Sequence, residues 1–157
     1  MNRRFALYSI LCFLSAIIID QATKFIAIKK IPESGIFLCK SYLTVKMETV
    51  QNSLATFSLN IGNSILIVII VLILLVLGYT VYRLLLKKQN FSALTVSLVV
   101  GAAFSNLIDR VLRGAVVDFI SLSIADKTWP TFNAADIIIS LCSLFLIILI
   151  LRKPKQI

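Results

Sequence analysis

The chain contains no histidine among its 157 residues. This absence excludes Ser-His and Cys-His nucleophilic catalysis, histidine-ligated zinc and the HExxH helix of metalloproteases. The three cysteines, Cys12, Cys39 and Cys142, form no CxxC pair, so they predict neither a zinc site nor a disulfide framework. We expect no metal site and no cofactor.

Charged residues are also scarce, at 15% of the chain, whereas 59% of the residues are hydrophobic. Acids are the rarer sign, with 7 Asp and Glu against 16 Lys and Arg, which gives a formal charge of +9. This composition excludes a disordered chain and most soluble folds, and the length suggests one domain, residues 1–157. The apolar excess makes a membrane, rather than a nucleic acid, the expected anionic partner.

Four apolar segments are long enough to cross a bilayer, which takes about 20 residues. The first continues past Asp20 without a small-x-small cleavage site, so we interpret it as a retained helix rather than a signal peptide. The first and last segments reach spanning length only by including an aspartate, which places carboxylates near the membrane boundary. The expected transmembrane helices are about 5–28, 61–82, 91–108 and 134–151.

Basic residues favour one orientation of these helices. The short pieces 1–4, 83–90 and 152–157 hold eight basic and no acidic residues, whereas the connections 20–60 and 109–136 hold all seven acids. The positive-inside rule therefore places both termini in the cytoplasm and the two long connections outside.

The outer connections differ in pattern. Residues 43–48 alternate apolar and polar side chains, as in a half-buried strand, so we expect an outer β region at about 36–58 and an outer loop at 109–133. The predicted fold is an all-α integral membrane protein, a four-helix bundle with a small extracytoplasmic β-sheet between the first and second helices.

Polar residues cluster at the outer ends of these helices, where ionisable groups are costly and indicate functional sites. Asp20 and Lys24 are four residues apart and can pair on one helix face. Small residues from Gly101 onward allow close helix packing, and Arg110 could bind a carboxylate, a lipid phosphate or a substrate carbonyl. These clusters also contain Asn52, Asn106 and Asp109.

Two further acids could form a catalytic pair. Asp118 lies in an apolar stretch after Gly114, and Asp136 follows Asn133, which is a suitable helix N-cap. Two carboxylates that converge in a partly apolar site share a proton and can activate water. The simpler alternative is a solvated loop acid at 118 and a capping acid at 136.

Three other functions remain open from the residues alone. The acids and Arg110 could form a proton or ion path, Lys24 could be the base of a Ser-Lys peptidase, or the aspartates could be structural parts of a lipid-binding protein. Polar residues gather at one end of the helices rather than along their length, which favours an enzyme over a conducting protein.

The motifs resemble those of bacterial lipoprotein signal peptidases, also called signal peptidase II, a family of membrane aspartic peptidases (A8). Residues 20–24 resemble D-Q-x-x-K, residues 101–110 resemble G-x-x-x-N-x-x-D-R with one extra small residue, residues 114–119 resemble G-x-V-x-D-F, and residues 132–136 match F-N-x-A-D. Before the second span, Asn52 and Phe57 match N-x-G-x-x-F, but Leu54 replaces the glycine.

The resemblance implies a role for each matched residue. Asp118 and Asp136 fall on the catalytic aspartates. The positions that line the site and bind substrate are Asn52, Asn106, Arg110 and Asn133. The positions that we interpret as structural support are Asp20, Lys24, Gly101, Asp109 and Gly114.

The resemblance also implies the reaction. The expected substrate is a prolipoprotein whose cysteine carries diacylglycerol, cleaved on the amino side of that cysteine to release the signal peptide. We further expect a monomer in the bacterial cytoplasmic membrane, contacts with membrane lipids, an active site near the outer face, and inhibition by globomycin-type cyclic peptides.

Overall fold

A computed structural model describes residues 3–39, 42–53, 63–125 and 127–152. Within these residues, four helices are long and apolar enough to cross a membrane. The helices are α1 (Arg3–Lys30), α2 (Asn63–Leu86), α3 (Asn90–Arg113) and α4 (Ala134–Leu151), and the strands are β1 (Ile36–Cys39), β2 (Leu43–Asn52), β3 (Val116–Ile124) and β4 (Lys127–Thr128). The predicted helical membrane fold is therefore confirmed.

The strands form one antiparallel sheet in the order β1-β2-β3-β4. The predicted strand after residue 43 is present as β2, which pairs with β3 so that Val50 lies opposite Asp118 and Asn52 opposite Val116. Half of the sheet therefore comes from the second connection, where we had expected a loop at 109–133. Residues 54–58, including Leu54 and Phe57, lie outside the described residues.

Helix α3 is the centre of the bundle, since it packs against α1, α2, α4 and β3. At its contact with α1, a Cβ on Gly101 would come within 2.3 Å of the Phe13 carbonyl oxygen, so only glycine permits this approach. Ala16, Ala102 and Ala135 are fully buried next to this contact. Small residues thus allow α1, α3 and α4 to pack closely together.

Helix α3 continues to Arg113, past the expected end at residue 108, and its polar residues Asp109 and Arg110 are buried against neighbouring elements. Gly114 then ends the helix with φ of 76°, a left-handed conformation that favours glycine, and its N–H donates to the Arg110 carbonyl oxygen. This C-cap turns the chain directly into β3 and so places Asp118 beside the helix ends.

Candidate active site

Asp118 lies on the buried half of β3, between Val117 and Phe119, and only 2% of the residue is exposed. Its Oδ1 accepts a hydrogen bond from Asn133 Nδ2 at 2.6 Å, and its Oδ2 accepts one from Asn52 Nδ2 at 3.0 Å. The alternative of a solvated loop acid is therefore wrong, since the carboxyl is removed from bulk water and held by two amides.

Burial raises the pKa of the Asp118 carboxyl above its ordinary value, because the charged form loses its hydration. The Asn52 hydrogen bond opposes this rise, the nearby charge of Asp136 adds to it, and Asn133 and Lys24 oppose it. The two aspartates are thus close enough for the charge of one to affect the proton affinity of the other.

Asp136 occupies the first turn of α4 and forms a capping box with Asn133. The Asp136 N–H donates to Asn133 Oδ1 at 3.0 Å, and the Asn133 N–H donates to Asp136 Oδ2 at 3.2 Å. The predicted N-cap is confirmed. Asn106 Nδ2 donates to the other oxygen, Oδ1, at 3.3 Å, so the carboxyl is also held from α3.

Asn133 joins the two acids, since its side-chain amide contacts Asp118 and its backbone N–H contacts Asp136. The same Nδ2 also donates to Asn106 Oδ1 at 3.3 Å. Asn133 is fully buried, so these bonds are made away from solvent. Two carboxyls in contact with one buried asparagine can share a proton and hold a reactive water molecule.

A second buried group lies directly beside the acids. Lys24, Asp20 and Asp109 are all fully buried, and Lys24 Nζ lies 2.6 Å from Asp20 Oδ2 and 2.7 Å from Asp109 Oδ2. The predicted Asp20–Lys24 pair is present, and Asp109 joins it from α3. Lys24 Nζ also donates to Asn106 Oδ1 at 2.7 Å. With its donors directed at these three oxygens, Lys24 is not placed as the base of a Ser-Lys peptidase.

Asp20 also supports the start of α4. Its Oδ1 accepts a hydrogen bond from the Ala135 N–H at 2.8 Å, and its Oδ2 accepts one from Ser105 Oγ at 2.7 Å. The Asp20 carboxylate therefore connects α1, α3 and α4, and its contact on α4 is Ala135, the residue before Asp136.

Two residues in this network had no role in the sequence analysis. Gln21 Nε2 donates to Ser105 Oγ at 2.9 Å and to Asp109 Oδ1 at 3.1 Å, and so joins α1 to α3. Ser105 precedes Asp109 by four residues, so both side chains face α1. That spacing indicates that Ser105 and Asp109 share one face of α3, but nothing in the sequence showed that Gln21 would contact both of them.

Arg110 is buried near the C-terminal end of α3, close enough to Asp118 for their charges to interact. Asn52, at the end of β2, reaches Asp118 directly. The structure therefore brings Asn52, Arg110 and Asn133 together with Asp118 and Asp136 at one end of the bundle. Within the described ranges, no group of three or more Cys, Asp or Glu side chains is placed to hold a metal ion.

Comparisons with known proteins agree with one another. The family described as Signal peptidase (SPase) II matches residues 12–152 of the chain. A lipoprotein signal peptidase of Syntrophomonas wolfei is 35% identical over 147 residues, which are 92% of this chain and 93% of that protein. A lipoprotein signal peptidase of Caldicellulosiruptor bescii is 33% identical over 144 residues, 91% of this chain and 90% of that protein. A solved bacterial membrane enzyme matches with a TM-score of 0.75 at 29% identity, covering 95% of this chain and 93% of that one.

Proposed function

Because the chain belongs to the signal peptidase II family, a family of membrane peptidases, we propose that it cleaves diacylglyceryl-modified prolipoproteins on the amino side of the lipidated cysteine. The observation that carries the proposal is the contact of Asn133 with both Asp118 and Asp136. Family membership supports a peptidase that removes signal peptides from lipoproteins, and this contact supports the two aspartates as its catalytic groups.

In the proposed mechanism, the two carboxyls share one proton and hold a water molecule. The ionised carboxyl takes a proton from the water molecule while the oxygen of that water bonds to the scissile carbonyl carbon. The protonated carboxyl then gives its proton to the cysteine nitrogen as the C–N bond breaks. Because the Asn133 amide already donates to Asp118 and Asn106, we assign polarisation of the carbonyl to Arg110, with Asn52 and Asn106 as further substrate contacts.

The lipid on the substrate gives the most direct test of this function. Purified enzyme in detergent should cleave a diacylglyceryl-modified prolipoprotein, and mass spectrometry should find the modified cysteine at the new amino terminus. The same prolipoprotein without the lipid is the matched control and should be cut far more slowly. Equal cleavage of both forms, or a cut at another bond, would contradict the proposal.

The same proposal includes the orientation in the cytoplasmic membrane. Both termini would be cytoplasmic and the dyad would lie near the extracytoplasmic face, in line with the basic residues of the α2–α3 turn at the opposite end. Cys39 is exposed on β1, whereas Cys12 and Cys142 lie within the apolar helices. A membrane-impermeant maleimide should therefore label Cys39 in spheroplasts, and Cys39→Ser should abolish that labelling. Labelling of Cys39 only after lysis would reverse the orientation.

Inhibition and assembly complete the proposal. A globomycin-type cyclic peptide would compete with substrate at the dyad, and one chain is sufficient for activity because the described contacts assemble the site from a single copy. Membrane lipids would cover the exposed apolar faces of the helices. An ion-conducting role is disfavoured, since the buried charged side chains of the described residues gather in one cluster, comprising Asp20, Lys24, Asp109, Arg110 and Asp118.

The pH dependence of cleavage should follow the environment of Asp118. Activity falls as the pH drops through the pKa at which the pair of carboxyls loses its ionised member, and a higher pKa of Asp118 raises this value for the pair. Burial raises the pKa of Asp118. Asn52→Ala removes a hydrogen bond that lowers this pKa. The acid limb of kcat/KM should therefore move to higher pH in Asn52→Ala.

Gln51→Ala is a matched control for this measurement, because Gln51 is an exposed neighbour of Asn52 on β2. Its acid limb should coincide with that of the unmodified enzyme. An acid limb that stays in place or moves to lower pH in Asn52→Ala would show that the Asn52 bond does not influence the catalytic carboxyl.

A further inference from the structure

Lys24 is a fully buried lysine beside the proposed dyad that the reaction scheme does not use. Its ammonium lies 2.6 Å from Asp20 Oδ2, 2.7 Å from Asp109 Oδ2 and 2.7 Å from Asn106 Oδ1. An ammonium has three donors and no acceptor. These three oxygens therefore use all of its hydrogen-bonding capacity, and one of them belongs to a residue of the proposed active site.

The contact with Asn106 fixes the orientation of that amide. Because its oxygen faces a group that can only donate, its NH₂ must point the other way, where it donates to Asp136 Oδ1 at 3.3 Å. In the flipped amide, NH₂ would meet the Lys24 ammonium, which is a repulsive contact, and the oxygen would meet the Asp136 carboxyl, which repels it when ionised. The same oxygen accepts from Asn133 Nδ2 at 3.3 Å, and this amide also reaches Asp118.

We propose that Lys24 is a positioning residue for peptide cleavage, acting through the Asn106 amide to hold the side chains of Asp136 and Asn133 in the geometry that the reaction needs. The inference rests on the proposed function of the dyad. It differs from simple structural support, because two carboxylates would be enough to compensate a buried ammonium, and the third contact is directed at the active site.

The charged groups at this end of the bundle come from α1, α3, α4 and β3. Asp20 lies on α1 with Lys24, and the others are Asp109, Arg110 and Arg113 on α3, Asp118 on β3 and Asp136 on α4. Arg113 pairs with the other oxygen of Asp109 and is 34% exposed. Removal of Lys24 alone would leave Asp20 without its basic partner and Asp109 with Arg113 only. Because this leaves excess negative charge in a buried site, the test needs a variant in which one of the two acids is also neutralised.

The experiment replaces the ammonium while it limits the imbalance of charge. Lys24→Met keeps the length of the side chain but removes its hydrogen-bond donors. Two variants are prepared, namely Lys24→Met alone and Lys24→Met combined with Asp109→Asn. The reference for the double variant is Asp109→Asn. In folded, detergent-purified enzyme acting on a diacylated prolipoprotein, loss of Lys24 should lower kcat by about 10²-fold, the scale of effect expected from misplaced catalytic groups. The KM should change less than kcat, because the proposed substrate contacts of Arg110 and Asn52 do not depend on the Asn106 amide.

A second measurement asks whether the effect passes through Asn106. In an Asn106→Ala/Asp109→Asn background, Lys24→Met should cause no further loss of kcat, because the amide that Lys24 orients is gone. Arg113→Met is the matched control, since it removes the other basic partner of Asp109. Its kcat should match that of the unmodified enzyme.

Two results would overturn the inference. One is a folded Lys24→Met/Asp109→Asn enzyme with the kcat of Asp109→Asn. The other is a full additional loss from Lys24→Met in the Asn106→Ala/Asp109→Asn background. Failure of the proposed function is a separate result, since an active Asp118→Asn enzyme would exclude catalysis by the two aspartates independently of the results for Lys24.

Discussion

Replacement of either Asp118 or Asp136 by asparagine should reduce cleavage of a diacylated prolipoprotein by about 10⁴-fold, the upper range for loss of a general acid or base. Each variant keeps the shape of the side chain but cannot exchange a proton with water or with the leaving amine. The Asn133 and Asn106 amides next to the carboxyls remain in place, so the folded protein should still insert into membranes. Initial rates in detergent, with thermal unfolding measured in parallel, check both expectations.

Glu48→Gln is a matched control for these variants. Glu48 is an acid on the neighbouring strand β2, where it pairs with Lys46 away from the dyad. It should retain the activity of the unmodified enzyme. Full activity in either Asp→Asn variant would exclude catalysis by the pair, and equal losses in all three variants would indicate a general effect of removing an acid.

Replacement of Asn133 separates helix capping from catalysis. Asn133→Ala removes both the cap of α4 and the donor to Asp118, so it should destabilise the protein by about 1 kcal/mol and lower activity by about 10²-fold. Asn133→Ser keeps an oxygen that can cap the helix, but its short side chain has no amide to donate to Asp118 and Asn106. Serine should therefore restore the stability and leave the activity low.

Thermal unfolding in detergent and cleavage rates together distinguish the two roles of Asn133. If Asn133→Ser recovered the activity along with the stability, capping alone would explain the effect of alanine. If both variants kept normal activity, the amide that contacts both carboxyls would have no part in the reaction.

The helices and β2 could be predicted from the sequence because their signals are local. Long apolar runs mark the four helices, and alternation after Leu43 marks β2. Strand β3 had no such signal, since residues 116–119 are buried in succession and a strand covered on both faces shows no alternation. The sequence therefore predicted a loop where the structure has the strand that carries Asp118.

The site could be predicted only in part, because it depends on contacts between distant segments. The sequence identified Asp118, Asp136 and Asn133, but their convergence depends on the packing of β3 against the start of α4. The Asp20–Lys24 pair follows from helical spacing, whereas the contact between Lys24 and Asn106 requires α1 and α3 to meet. Contacts between side chains of different helices can be identified only when the packing of the helices is known.

The buried ion pairs also bear on how the protein is made. Lys24 follows Asp20 by four residues on α1, and Arg113 follows Asp109 by four residues on α3. Each helix therefore brings an internal counterion for its acid when it leaves the translocon, before it meets the others. This self-neutralisation lowers the energy of inserting each helix separately, and the bond between Lys24 and Asp109 can form later, when the inserted helices associate.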